Sequence, residues 1–506
     1  MTERPWKSSI APGALPLVGH ALRLSWKPLD FLAAMPAHGD VVELRLGSTP
    51  NYMVCHPDLV HRVLVDDTTF DKGGVLFDSA RAVFGNGIVA CPRQDHRRQR
   101  RLLQPAFHRD RFPAYAQVMS RQIGLILDGW HEGRVLDVPA QMGALVGRIV
   151  ISTLFTGDSD EVRFTVETSL DDVVRGIYRE MFAPLALLSK LPTPGNRRAQ
   201  RARARIRSAV ADYVEDFRRD EADRGDLLSA LLAARDDEGR PLDDAEIHDQ
   251  VVNLIVAAFE TTAALLVSVL RLLALHPEVL ERLRGEVDGV LGGRIAHWAD
   301  VPRLDLTRRV LTEAQRLYPP GWFVTRVATV DTELGGCRIP AGSSVSYSPY
   351  MIHRRADLYP DPSRFDPDRW LPGPAAERAR TAYVAFGGGA RKCLGDAFGM
   401  AEAVLILASI VSRWDLRAVG RIPDPKARIS LGPLSLSMRA YRRTWNDAVE
   451  PGTDAVPRTS DESTGTDERA VVTVPPALSD VPERAAAENH CPVTGTTHSS
   501  VGEEAA

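Results

Sequence analysis

The segment Phe386-Gly-Gly-Gly-Ala-Arg-Lys-Cys-Leu-Gly395 sets one cysteine, Cys393, among residues suited to holding a thiolate. Gly387, Gly388 and Gly389, with Gly395 beyond the cysteine, let backbone approach a flat ligand without intervening Cβ atoms. Arg391 adds positive charge two residues away. Next, Met400, Val404, Leu407, Val411 and Trp414 recur at helical spacing, which predicts a helix whose N-terminal dipole and free N–H groups favour an anionic sulfur. Zinc usually takes four ligands at short spacings and no second cysteine lies within such reach, so a lone thiolate here points to haem iron. Glycine and cysteine alone leave a plainer reading open, a Gly-rich turn into a helix with a small buried residue.

A second set of chemical groups lies in Val251 to Leu275, a stretch apolar nearly all the way round and interrupted by Asn253, Glu260 and Arg271. Those interruptions argue against a membrane span and for a helix through the centre of a soluble core. Within it, Ala257-Ala-Phe-Glu-Thr-Thr262 buries an acid, which is costly unless the acid has partners or work. Alternatively, Thr261 and Thr262 bond back to carbonyls one turn earlier and Glu260 faces a wet cleft. Glu313 and Arg316 share a helix face and can pair, although such pairs are common surface decoration. His96-Arg-Arg-Gln-Arg100, followed by Arg101, is a basic helical run with His96 and Arg100 on one face: an anion site or a solvated face.

Phe386, Gly389, Arg391, Cys393 and Gly395 reproduce an F-x-x-G-x-R-x-C-x-G signature, and over about residues 11 to 440 the chain resembles the cytochrome P450 monooxygenases. The resemblance implies haem b (iron protoporphyrin IX) with Cys393 as axial iron ligand, and Phe386 and Arg391 in the cofactor-binding loop. Ala257–Thr261 is similar to the family's A/G-G-x-D/E-T element, which assigns Glu260 and Thr261 to proton delivery during oxygen activation. Ala258 departs from it, standing where glycine is usual and where the helix is usually opened. Glu313-Ala-Gln-Arg316 and Phe365-Asp-Pro-Asp-Arg-Trp370 match two further elements, implying a buried network of Glu313, Arg316 and Arg369 that holds the cysteine loop. His96 and Arg100, with His96 replacing the commoner tryptophan, and Arg326 become propionate ligands. Arg97, Arg98, Arg101 and Lys392 suggest a basic face for an acidic electron donor. No G-x-G-x-x-G follows a strand and opens a helix, so electrons are expected from separate proteins, a ferredoxin and its reductase.

Pocket segments placed by the resemblance are 72–89, 177–188, 254–258, 321–324 and 431–434. Phe77, Phe84, Ile177, Met181, Ala257, Ala258, Trp322, Phe323 and Leu434 would line an apolar cavity suited to a hydrocarbon held by shape. The chain looks most like actinomycete terpene oxidases of the pentalenene oxygenase and albaflavenone synthase kind, through His96–Arg101 with Gln104-Pro-Ala-Phe107, Glu246-Ile-His-Asp-Gln-Val-Val252 and Ser348-Pro-Tyr350. That implies O2-dependent hydroxylation or further oxidation of a terpene. A fatty-acid hydroxylase or peroxygenase would need an arginine in the pocket, for which Arg81, Arg175 and Arg179 are available; a haem sensor or carrier would have no use for Glu260 and Thr261. Asp236-Asp-Glu-Gly-Arg240 with Asp243-Asp244 superficially resembles an aspartate-rich magnesium motif, but Arg240 breaks it and a solvated loop is expected.

These groups must be positioned by a fold that reads as mainly α with minor β. Short strands are predicted at Val41–Leu46 and Tyr52–Cys55, with a further β segment at Thr329–Val345. Helical periodicity covers Ile123–Trp130, Ala199–Phe217, Leu227–Ala234 and Glu246–Leu275. At 506 residues, 44% hydrophobic and 25% charged, the composition is that of an ordinary globular protein. One catalytic domain is expected over residues 1–446. Residues 447–506 hold twelve acidic and three basic residues with no aromatic one, so an acidic disordered tail is expected there. Five scattered cysteines and the absence of a long apolar N-terminal run lead to a cytoplasmic protein with no membrane span; a monomer with no nucleic-acid partner is also expected.

Overall fold

A computed structural model describes residues 6–16, 19–46, 49–74, 85–155, 193–220 and 225–444, with Phe77, Arg81 and scattered positions between 161 and 176. Phe84, Ile177, Arg179, Met181 and the acidic stretch 447–506 lie outside the described residues.

The architecture is mainly α with minor β. The helices that bear on the site are α1 (Pro57–Val65), α2 (Arg93–Leu103), α3 (Phe112–Asp128), α4 (Val138–Leu154), α5 (Pro194–Asp220), α6 (Leu227–Ala233), α7 (Asp244–Leu275), α8 (Pro277–Leu291), α9 (Asp305–Leu317) and α10 (Asp396–Arg413). α3 begins well before the predicted Ile123, because Pro113 occupies its first turn, where a missing N–H costs nothing. α7 starts at Asp244 because Asp243 and Glu246 form a reciprocal capping box that satisfies two otherwise unpaired N–H groups. Among the described residues it is the one helix long and apolar enough to cross a membrane. It instead packs against α4, α9 and α10, with buried side chains along its length.

Six strands form the main sheet: β1 (Ser8–Ile10), β2 (Val41–Leu46), β3 (Thr49–Val54), β4 (Phe70–Asp71), β5 (Val324–Ala328) and β6 (Ser344–Tyr347). Their order is β1-β2-β3-β6-β5-β4. β3 runs parallel to β6 with Asn51 opposite Ser344, and β4 is antiparallel to β5 with Asp71 opposite Val327. The β segment expected as Thr329–Val345 is thus a hairpin, Thr332–Leu334 with Cys337–Ile339, followed by the start of β6, while β5 ends just before it at Ala328. Gly335 and Gly336 close that hairpin at φ +57° and +71°, the left-handed pair a tight two-residue turn requires. One apolar core lies among α3, α4 and α7 to α10, and a second among the sheet and α1.

Candidate haem site

The cysteine loop is folded by its glycines. Phe386 O accepts the Cys393 N–H at 2.9 Å, with Gly387 and Gly389 at φ +70° and +61°. A Cβ on Gly389 would lie 2.2 Å from Leu64 O at the end of α1. That glycine is therefore required by a close approach of protein backbone. Cys393 precedes α10 by three residues, and the Gly395 N–H donates to its sulfur.

The helix-end donor is present, yet burial raises the thiol above its ordinary range, and only then do the Gly395 N–H, Lys72 and Arg100 pull it down. Desolvation thus opposes the local donors and positive charges at this sulfur. Arg391 is not the charge that helps: its Nη2 is 2.6 Å from Asp71 and its Nη1 donates to Cys91 O at 2.9 Å. Cys393 is enclosed by the chain but keeps accessible surface, as a residue on the wall of an internal space does.

Five cationic or potentially cationic groups meet beside it. His96 and Arg100 project from α2, Arg326 from β5, Arg391 from the cysteine loop, and Lys72 from the end of β4. Burial, then Arg391, Lys72, Arg100 and Arg326, push His96 down to about 3, so its ring is neutral and can donate one N–H. Arg100 Nη1 donates to Lys392 O at 2.6 Å, tying α2 to the cysteine loop. Arg326 is 3% exposed, and its Nε and Nη1 have no partners. A buried guanidinium left with free donors is costly unless it has an anion to hold. Together with the accessible sulfur of Cys393, it fits a flat iron macrocycle bearing carboxylates.

On α7, Thr261 keeps exposed surface in mid-helix while Ala257, Ala258 and Glu260 are half-buried. The Thr261 hydroxyl donates to Ala257 O at 2.7 Å, so its oxygen remains free to accept. α7 stays α-helical through Ala258, so the local opening usual with glycine is absent here.

Glu313 and Arg316 on α9 are wholly buried, with both guanidinium arms on the two carboxylate oxygens at 2.8 Å. Arg316 also donates to His353 O, Pro362 O and Arg364 O, and Glu313 accepts from Arg369 Nε at 3.4 Å and Trp370 Nε1 at 3.0 Å. His353 stacks on Tyr383 and accepts the Val384 N–H, and Tyr383 meets Phe386 edge-on. The network thereby reaches the loop that carries Cys393.

Other expectations need correction. Arg98 is 2.7 Å from Asp236 and also binds Glu246, Arg101 pairs with Asp237, and Lys392 pairs with Asp396 at 2.8 Å. Of the expected basic docking face, only Arg97 stands exposed with its charge uncommitted to a described ion pair: Arg98 and Arg101 fasten α2 to the segment before α7, and Lys392 pairs with the first residue of α10. Asp236 serves that fastening, and among the described residues no acidic or His/Cys cluster suits a metal ion. Arg81 donates to Ala90 O and Lys72 O, both at 2.8 Å, leaving little of it for a substrate carboxylate. Phe77 packs with Ala90 and Val324. Trp322 is buried with its indole N–H on Arg428 O, its ring 5.7 Å from that of Phe323, and Leu434 is exposed.

Lys72 and Glu402 were not singled out from the sequence. Glu402 on α10 is 0% exposed, and neither carboxyl oxygen has a well-formed hydrogen bond. Burial lifts it to about 8, opposed by the hydroxyl of Thr262, the neighbour of Thr261. An acid in an otherwise apolar stretch of α10 was the available signal.

Comparison with known proteins agrees with this geometry. The cytochrome P450 family profile matches residues 11–439. Cyclooctatin synthase of Streptomyces melanosporofaciens is 48% identical across 86% of this chain and 96% of its own. Pentalenene oxygenase of Streptomyces avermitilis is 45% identical across 88% and 99%, and cyclooctat-9-en-7-ol 5-monooxygenase of S. melanosporofaciens 48% across 82% and 91%. The chain belongs to the cytochrome P450 family. It is therefore a monooxygenase, a class that binds haem b through a cysteine thiolate and uses O2 on a small hydrophobic substrate.

Proposed function

We propose that this enzyme oxidises a cyclic terpene hydrocarbon or a terpene already carrying a hydroxyl, with Cys393 as the axial thiolate. The observation that supports the substrate class is similarity along more than nine-tenths of three relatives, two of them named for oxidising pentalenene and cyclooctat-9-en-7-ol. When bound, haem supplies the oxygen activation, promoted by electron donation from the thiolate.

The chain's own residues do the rest. Arg326, Arg100 and His96 hold the propionates, Arg391 braces the cysteine loop against Asp71, and the Glu313–Arg316–Arg369 network fixes that loop to α9. Thr261, whose hydrogen is donated to Ala257 O, keeps lone pairs with which it would accept a hydrogen bond from a protonated group beside it, and Glu260 would be the acid that supplies protons to the site. Ala257, Ala258 and Phe77 would bound an apolar space that excludes water from the substrate. Electrons come from a separate ferredoxin and its reductase, and the enzyme works as a cytoplasmic monomer.

The test is a substrate-binding titration of the ferric protein with cyclic sesquiterpenes and diterpenes and with a fatty acid of similar size, followed by turnover under isotopic O2. Terpene-induced displacement of the iron-bound solvent, with one labelled oxygen in the product, is expected. Binding and oxidation of the fatty acid alone would overturn the reading.

A further inference from the structure

A surface cavity of about 310 Å³ opens where the starts of α2 and α7 meet, and the oxygen chemistry makes no use of it. It lies at the small end of ligand-sized cavities. Four acids line it: Asp95 from α2, and Asp243, Glu246 and Asp249 from the start of α7. Helix dipoles favour acids in first turns, which accounts for Asp95, Asp243 and Glu246 one at a time. It accounts neither for their sharing one cavity nor for Asp249, which lies beyond the first turn.

The hydrogen-bond donors of this wall are already spent. Arg98 gives Nε to Asp236, Nη1 to Glu246 and Nη2 to Pro241 O. Asn86 gives its backbone N–H to Asp249 Oδ2 at 2.8 Å and its Nδ2 to Asp95 Oδ2 at 2.7 Å. Gln99 is 2% exposed and lines the same cavity; its Nε2 donates to Asn86 O at 2.7 Å, and its Oε1 has no hydrogen-bond partner. A buried amide oxygen without a donor is costly. Gln99 stands one turn after Asp95 on the same face of α2. Apart from the exposed Gln94, what this wall still offers is acceptors.

The charge balance points the same way. Arg98 compensates Glu246, whereas neither Asp95 nor Asp243 has a cation paired with it among the described residues. Burial pushes Asp249 up, but the His248 hydrogen bond, the Asn86 N–H and then the charges of His248 and Arg207 bring it below the usual carboxylate range. From Asp243 to Asp249 the wall runs about 9 Å along α7, further than one ammonium group spans.

We propose that this cavity binds a short aliphatic diammonium ion, with one ammonium on Asp95 and Gln99 Oε1 and the other toward Asp243. An ammonium has three donors and no acceptor, which matches a wall of unused acceptors, and a cleft lined by acids concentrates such cations. A bare metal ion does not fit, because these acids form no metal-binding cluster. The bound ion would fasten the start of α2, which carries His96 and Arg100, to the start of α7, which carries Glu260 and Thr261. The site stands apart from the haem and from the choice of substrate.

Putrescine is titrated into the ferric holoenzyme by calorimetry at constant ionic strength, with n-butylamine, 1,4-butanediol and KCl as comparison solutes. One saturable putrescine site is expected, with butylamine about tenfold weaker or more and butanediol silent, as the loss of charge-assisted hydrogen bonds requires. Asp95→Asn, which keeps an acceptor for Asn86 Nδ2, and Gln99→Leu each weaken putrescine binding about tenfold or more. Asp110→Asn removes an exposed acid outside the cavity and leaves binding at the parental value. Should Gln99→Leu lose its haem, the isosteric Asp95→Asn decides alone. Absence of saturable binding by the parent, parental affinity in Asp95→Asn, or equal weakening by Asp95→Asn and Asp110→Asn overturns the proposal. So does a cavity that takes K⁺ and ignores the diamine.

Discussion

Glu402→Gln isolates the energetic effect of a buried neutral acid. The substitution keeps the side chain's shape and hydrogen-bonding capacity and removes its ionisable proton. Burial raises this carboxyl from its ordinary 4.5 to about 8, so the folded chain keeps a proton that the unfolded chain releases. Because the folded value is the higher one, the stabilising effect is fully present below about pH 4.5 and is lost as pH rises to about 8. A shift of that size corresponds to about 5 kcal/mol. Glutamine has no such proton, so the stability of the variant relative to the parent should improve by about 5 kcal/mol across that window and then stay level. Urea unfolding of the two holoenzymes in parallel, at several values between about pH 5 and 8, reads this difference, and haem release cancels because it is common to both. A gap that does not change with pH would refute the reasoning, since it would mean that Glu402 is ionised in the fold and compensated by a partner.

Three further outcomes follow from other contacts. Glu313→Gln leaves the Arg316 guanidinium without its counter-charge in a wholly buried site, so a loss of about 3–5 kcal/mol is expected in chemical denaturation; a loss below about 1 kcal/mol would show the pair to be dispensable. Gly389→Ala drives a Cβ against Leu64 O at a left-handed position, so the chain should retain helical circular dichroism while losing most thiolate-ligated haem, and parental haem content would contradict the packing argument. Arg98→Glu should destabilise the protein by about 1–3 kcal/mol because Asp236, left with Arg240 alone, and Glu246 both lose their bond to it, whereas Arg97→Glu should leave stability unchanged; equal thermal shifts would show that Arg98 is not structural.

What the sequence revealed was chemistry confined to a few consecutive residues. Glu313 and Arg316 share a helix face by spacing alone, and the all-round apolar stretch ending at Leu275 could only be a core or membrane helix. The cysteine loop was legible for the same reason. What escaped depends on residues brought together from far apart. Arg98 reads as a surface charge until Asp236, 138 positions away, is folded against it. Lys72 reads as a loop lysine until Val89 O captures it. The enclosure of Cys393 was not legible either, because local charges and a helix end are visible in a sequence, whereas burial is a property of the finished fold. Gly389 was legible as a glycine needing close approach, but the backbone atom on α1 that excludes a side chain there was not.

The ion pair between Arg391 and Asp71 spans 320 positions of the chain, and Arg391 reaches Cys91 across 300. During synthesis at about 5–20 residues per second, Asp71 waits roughly 15 to 65 s for its partner to be made. β4 likewise lacks its partner strand β5 until residues 324–328 have been made. Cofactor loading is therefore an event of the completed chain, placed after the ribosome has finished with residue 393.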